Sequence, residues 1–286
     1  MIKLQDGPLT LFESALYKTM SAVVETSDAV IIVDPCWLPH EVEEIRQYVD
    51  ALAGNRPKYM LFTHSDYDHI IGYGAFPDAA VIASAALADK TEADKEAIRE
   101  QIRDFEHSYY LERDYEIAYP VVTHRAEADG QVLDLGHSSN SGDGTRLTFY
   151  LSPGHNDDGI YTVIEPIGLL FAGDYWSDLE FPYIYFSSTE YEASITKLDT
   201  ILAKHAITRL IPGHGNSTTD QTEMKRRQQA DFAYIAAMRE AVRAGDQATI
   251  DGLIEGCKFP RNMRKFHRGN QTLFERELKG SGHSGS

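Results

Sequence analysis

Two cysteines in 286 residues, Cys36 and Cys257, are too few and too far apart to make a disulfide framework, a thiolate metal site or a redox pair. Each reads as a small buried hydrophobe. Long apolar runs are missing as well. Nothing approaches the roughly 20 residues of a membrane span, and no basic segment followed by an apolar stretch opens the chain. A soluble, cytoplasmic protein is the expectation. Positive charge is scarce: 27 Lys and Arg stand against 44 Asp and Glu, for a formal net charge of -17. A nucleic-acid backbone needs the opposite sign over some surface, so that partner is not expected. The locally basic segment Lys258 to Arg268 reads as a solvated face balancing an acidic body. No repeat or low-complexity linker divides the chain. Residues 1–278 are read as one domain with a helical insertion at about 85–118 and a helical C-terminal extension, and 279–286 as a linker or cloning remnant, which removes His283 from consideration.

What the chain does contain is a series of apolar strands that end abruptly in polar loops. Residues 19–34 read as two strands with a tight turn at Ser27 and Asp28, the second stopped by Pro35. Pro39 to Ala53 suits a helix, with Val42, Ile45, Val49 and Leu52 spaced by three and four. Strands follow at Tyr59 to Thr63 and Ala79 to Ser84. From Ala85 to Glu116, Ile98, Ile102, Phe105 and Tyr109 recur at helical spacing in a charged segment, which predicts a long amphipathic helix. YPVVT (119–123), VLDLG (132–136), Arg146 to Leu151, Ile160 to Ile164 and Leu169 to Ala172 read as strands, and 138–144 as a polar turn. Thr189 with Glu192 predicts a capped helix start, the strand RLI precedes PGHG, and Asp220 with Glu223 opens a further helix that turns Met224, Gln228, Phe232, Ile235, Met238 and Val242 inward. The last apolar helix is read at Ile250 to Ile254. Strand, helix and strand in this rhythm predict a layered α/β architecture.

The stretch Tyr59 to Ile71, YMLFTHSDYDHII, organises the rest. A buried strand empties into His64, Asp66, Asp68 and His69, and crowded carboxylates repel one another unless a cation or protons neutralise them. Similar polar breaks at strand ends carry His155 (SPGHNDDG), Asp174 (GDYWSD) and His214 (PGHG). These seven nitrogen and oxygen donors exceed what one tetrahedral zinc needs and suit two metals that share a carboxylate. Alternation in the loop lets His64 and Asp66 grip one ion, while Asp68 and His69 reach a second.

The ordered set H-S-D-Y-D-H, S-P-G-H, G-D and G-H-G resembles the metallo-β-lactamase fold superfamily over about residues 19–215. The resemblance implies an αββα sandwich of two packed mixed β-sheets flanked by helices, with the metals along one edge. It implies His64, Asp66 and His155 around the first metal, Asp68, His69 and His214 around the second, and Asp174 between them. Asp66 departs from the usual H-x-H-x-D-H motif. A carboxylate in place of imidazole keeps zinc as the first expectation and opens the site to manganese or iron.

The resemblance further implies hydrolysis of a small molecule, in which two divalent ions acidify a water that attacks a carboxylic ester, lactone or thioester. Asp68 and Asp174 are the expected catalytic carboxylates. Phosphodiester or β-lactam hydrolysis, a diiron oxidoreductase with a separate redox partner, and a noncatalytic ligand sensor are the rival readings. Tyr67, Phe105, His107, Tyr109, Tyr175, Tyr183 and Tyr185 are the candidate pocket residues, and a homodimer is compatible with the chain.

Overall fold

The computed structural model describes residues 1–136 and 144–281, so the polar turn read at 138–144, apart from Gly144, and residues 282–286 of the tail lie outside the described residues. Two mixed sheets lie face to face. The first has seven strands in sequential order: β1 (Ile2–Asp6), β2 (Leu9–Glu13), β3 (Met20–Glu25), β4 (Val30–Val33), β5 (Lys58–Leu61), β6 (Ala80–Ser84) and β7 (His124–Ala126). Pairing is antiparallel from β1 to β4 and parallel from β4 to β7. The second sheet has the order β12 (Arg209–Ile211), β11 (Leu169–Phe171), β10 (Ile160–Glu165), β9 (Arg146–Leu151), β8 (Gln131–Asp134). Only its β11–β12 pair is parallel.

The period-2 geometry of a strand explains why these strands read as continuous apolar runs. In β4, Ile31 and Val33 point between the sheets, where they meet Phe149, Ile160, Ile164 and Phe171 of the second sheet. Val30 and Ile32 point the other way, onto α1 (Pro39–Ala53) through Val42, Ile45 and Val49. In β10, Ile160 and Ile164 face inward, while Tyr161 and Val163 face the outer helices α5 (Ser188–Lys204), α6 (Gln221–Ala244), α7 (Gln247–Gly252) and α8 (Pro260–Ser281). Each sheet therefore buries both faces, and the layers run helix, sheet, sheet, helix. Leu273 and Phe274 of α8 share one apolar cluster with Ile195 of α5 and Met224 of α6.

Several local readings shift. The insertion is two helices, α3 (Ala85–Ala88) and α4 (Glu92–Tyr109), because Thr91 starts a new helix by accepting from Asp94 N. The chain from Tyr110 to Thr123 carries no helix or strand, and the pairing expected at YPVVT falls instead at His124–Ala126. Ser187 rather than Thr189 caps α5, accepting from Glu190 N; Ser187 and Glu190 have the same spacing as Thr189 and Glu192, and the earlier pair prevails. Helix α8 continues through Lys279 to Ser281, into the segment read as linker. Cys36 is buried, while Cys257 is half-buried at the edge of the outer helical cluster. The hairpin β1–β2 is an addition to the elements expected from the sequence. No helix among the described residues is long and apolar enough to cross a membrane.

Candidate metal centre

The parallel strands of both sheets end at one place. Strand β4 runs into Asp34, and β5 runs through Phe62 and Thr63 into His64. Strand β11 runs into Gly173 and Asp174, and β12 into Gly213 and His214. Here the sheets are joined directly: Thr63 O accepts from Ile160 N at 2.8 Å, and Gly213 O from Met20 N at 2.7 Å. The single helical turn α2 (Tyr67–Ile70) carries Asp68 and His69 back over the strand ends, and the β9–β10 loop brings in His155. All seven candidate donors converge.

They form three overlapping groups whose donor atoms lie within 4.8 Å of one another: His64, Asp66 and His155; Asp68, His69 and His214; and His64, His69 and Asp174. Asp174 lies among all four imidazoles. One oxygen is 3.2 Å from His69 Nε2, and the other is 3.3, 3.4 and 3.9 Å from Nε2 of His155, His214 and His64. Asp66 Oδ2 is 3.2 Å from His155 Nε2 and 3.7 Å from His64 Nε2; Asp68 Oδ2 is 3.6 Å from His69 Nε2 and 3.7 Å from His214 Nε2.

Each imidazole is held from behind through Nδ1, a common device for aiming Nε2 at a metal. His64 Nδ1 donates to Thr63 Oγ1 at 3.0 Å, and that hydroxyl donates to Asp34 Oδ2 at 2.6 Å. His69 Nδ1 donates to the same Asp34 oxygen at 3.0 Å. His155 Nδ1 donates to Tyr183 O at 2.7 Å, and His214 Nδ1 is shared between Tyr17 O at 3.1 Å and Thr19 Oγ1 at 3.2 Å. The inward atoms are left over. His64 Nε2, His69 Nε2 and Asp174 Oδ1 are buried with no hydrogen-bond partner among the described residues, an arrangement that fits a cation. Asp34, Thr63 and Thr19 escape the sequence reading; a buried acid closing the apolar strand VIIV was the available signal for Asp34.

The electrostatics point the same way. Burial and the neighbouring His69 lower His64 to about 4. Burial also disfavours the charged form of His155 and His214, but Asp66 and Asp174 at His155, and Asp174 and Glu180 at His214, more than reverse it, raising them to about 9 and about 10. Burial pushes Asp68 up, whereas Asp174 is held well below the usual carboxylate range despite burial, by His214, His69 and His64. Three crowded carboxylates thus require positive charge between them, which divalent cations supply in place of protons.

Gly213 allows the approach: a Cβ there would stand 2.3 Å from Asp174 Oδ1 and 3.0 Å from His69 Cε1. Asp66 is held by two further donors, Tyr185 OH and, at 3.2 Å, Asn156 Nδ2, both on Oδ1.

A cavity of about 800 Å³ opens onto the cluster. Of the expected pocket residues, Tyr67, Tyr183 and Tyr185 line it. Tyr175 lies beneath, its hydroxyl accepting from His155 N at 3.0 Å and donating to Ser152 O at 2.9 Å. Phe105, His107 and Tyr109 lie outside the lining: Phe105 backs Trp37 and Tyr67, Tyr109 rests on Phe105 and is 62% exposed, and His107 faces solvent. The turn of α4 that lines the cavity instead presents Asp94, Ala97, Ile98 and Gln101. The basic stretch also reaches it, through Lys265 and its neighbours Met263 and Phe266 on α8.

Comparison with known proteins agrees with this architecture. Among solved structures, a metallo-β-lactamase family protein from Thermus thermophilus superposes with a TM-score of 0.64 at 19% identity, covering 96% of this chain and 94% of that one. A metallo-β-lactamase from Cronobacter sakazakii gives 0.57 at 18% identity over 83% and 93%, and one from Pontibacter korlensis gives 0.53 at 14% over 80% and 97%. At these identities the likeness is one of fold. No curated protein matches the sequence significantly. The profile of the Metallo-beta-lactamase superfamily matches residues 16–226, a span that contains every donor of the cluster. The chain belongs to the metallo-β-lactamase superfamily.

Proposed function

We propose that the protein is a dinuclear metallohydrolase acting on a carboxylic ester, lactone or thioester of a small molecule. The observation that carries this reading is the pair of three-donor groups sharing Asp174, with every Nε2 directed inward and every Nδ1 tied outward. His64, Asp66 and His155 would hold one divalent ion, Asp68, His69 and His214 the other, and Asp174 both. Zinc is the first expectation, and the carboxylate of Asp66 admits manganese or iron. Bound there, two cations supply Lewis acidity, which polarises a substrate oxygen and makes water a nucleophile near neutral pH.

The remaining work belongs to the chain. Asp34, Thr63, Thr19 and the carbonyls of Tyr17 and Tyr183 fix the tautomer and direction of the four imidazoles. Asp68 and Asp174 would be the carboxylates placed to orient an attacking water and take up its proton. Trp37, Phe181 and Phe266 give the cavity apolar walls, and its volume suits a small molecule. Elemental analysis of untagged protein, paired with assays on lactone, thioester, phosphodiester and β-lactam substrates, tests the reading. About two zinc or manganese ions with acyl-bond turnover is the expected result. Two irons, no hydrolysis and consumption of oxygen or nitric oxide would transfer the site to redox chemistry.

A further inference from the structure

Residues 181–188, between Asp174 and α5, make their hydrogen bonds to the metal centre at one three-donor group. Tyr183 O accepts from His155 Nδ1 at 2.7 Å, Tyr185 N donates to His155 O at 3.2 Å, and Tyr185 OH donates to Asp66 Oδ1. Among the described residues, Asp68, His69 and His214 receive none from this segment. The Nδ1 atoms of His69 and His214 are held instead by Asp34, Tyr17 and Thr19.

Helix α8 holds the segment in place. Asn270 is fully buried, and its amide grips the chain on both sides of Tyr183: Oδ1 accepts from Ile184 N at 2.8 Å, and Nδ2 donates to Pro182 O at 2.6 Å. One partner only donates and the other only accepts, so the pair calls for a side chain that does both. The amide is oriented from behind. Nδ2 also donates to Tyr234 OH at 2.9 Å, that hydroxyl donates to His267 Nδ1 at 2.8 Å, and His267 Nε2 donates to Ile250 O at 2.8 Å. Every member of this buried network has the partner its chemistry needs, the condition under which such a network fixes one geometry. Apolar contacts follow the same path: Phe181 stacks on Tyr234 with centroids 4.9 Å apart, and Tyr183 meets Phe266 of α8 at 4.5 Å. Helix α8 lies wholly beyond the residues 16–226 matched by the superfamily profile.

We propose that Asn270 is a positioning residue for the metal group His64, Asp66 and His155: by fixing the peptides on either side of Tyr183 it fixes the carbonyl that aims His155 Nε2. The proposal rests on the two-ion reading of the centre and adds that one ion, not both, depends on α8. Zinc affinity is measured by chelator competition in two backgrounds of the full chain. Asp68→Ala leaves the His64, Asp66 and His155 group intact, and Asp66→Ala leaves the Asp68, His69 and His214 group. Adding Asn270→Ala should weaken zinc about tenfold in the first background and leave the second unchanged. Tyr234→Phe keeps the ring on Phe181 and removes only the hydroxyl that orients the amide. It should show the same selectivity at about threefold, and it decides the matter if Asn270→Ala does not fold. Leu273→Ala, a buried neighbour on the same helix, should lower the thermal midpoint without changing zinc affinity in either background. Equal weakening in both backgrounds, no weakening in Asp68→Ala, or the same selective loss from Leu273→Ala would overturn the proposal. Fewer than two zinc ions on the wild-type chain would overturn the two-ion reading itself, and the proposal with it.

Discussion

Asp34 Oδ2 stands 3.0 Å from His69 Nδ1, and through the Thr63 hydroxyl on that same oxygen it also reaches His64 Nδ1. One buried carboxylate therefore sets the tautomers of two imidazoles assigned to different ions. Asp34 has φ 43, a backbone conformation that Asn tolerates, so Asp34→Asn should fold. The amide oxygen can still accept both bonds, but the negative charge is gone and the NH2 group would face Thr63 N–H, from which the other carboxylate oxygen now accepts at 2.9 Å. Metal affinity should fall by about 10- to 100-fold, read by competition with a chelator beside an unchanged far-ultraviolet spectrum. Full affinity in this variant would make Asp34 a structural acid only.

Asp66→His should keep zinc and turnover while narrowing the range of metals. The variant loses a hard oxygen donor, and with it the acceptor for Tyr185 OH and Asn156 Nδ2. Metal content after growth in a mixture of zinc, manganese and iron checks it; an unchanged ratio would show that Asp66 does not govern selection.

Asp174→Ala should abolish turnover, by at least about 100-fold, and reduce bound metal from two ions toward one or none. It removes the group that lies within 3.2 to 3.9 Å of all four Nε2 atoms and leaves those crowded imidazoles uncompensated. Substantial residual rate with two bound ions would remove Asp174 from the shared position.

Metal uptake should strengthen as pH rises from about 7 to 9. In metal-free protein, His155 at about 9 and His214 at about 10 carry protons at pH 7, whereas His64 at about 4 does not. A cation at Nε2 expels the proton, so the bound state holds fewer protons and its affinity grows with pH until the free imidazoles are neutral. Titration in buffers of different ionisation enthalpy should report proton release at pH 7. Release that is absent at pH 7, or affinity that falls between 7 and 9, contradicts this assignment.

Gly213→Ala should damage the centre without unfolding the sandwich. The added methyl would meet Asp174 Oδ1 at 2.3 Å and His69 Cε1 at 3.0 Å, so both donors must move. Loss of about one ion per chain with little change in thermal midpoint of the metal-free protein is the expected pair of results.

Much of this was legible because strands declare themselves through apolar runs, and the donors sit where those runs stop. His64, Asp66, Asp68 and His69 are neighbours in sequence, and His155 and His214 each follow glycine, so chemistry and position coincide. The supports were harder to see. Asp34 and Thr19 act through hydrogen bonds to residues remote in sequence; Asp34 at least shows as an acid closing an apolar strand, whereas nothing in the local pattern separates Thr63 and Thr19 from ordinary strand-end residues. Phe105 and Tyr109 show the opposite failure. Helical spacing identifies the stripe that covers the core, and a side chain committed to backing Trp37 cannot also form the cavity wall. The basic stretch misled in the same way, since composition shows charge but not that α8 folds back to place Lys265 and Phe266 beside the site.

The centre is split between the two sheets: His64, Asp66, Asp68 and His69 follow a strand of the first, while His155, Asp174 and His214 follow strands of the second. No half of the protein holds a complete set for either ion. The cations would therefore act as late fasteners, slowing the parting of the sheets more than they hasten their meeting, and the finished protein should be kinetically durable in metal even where its refolding rate is indifferent to it.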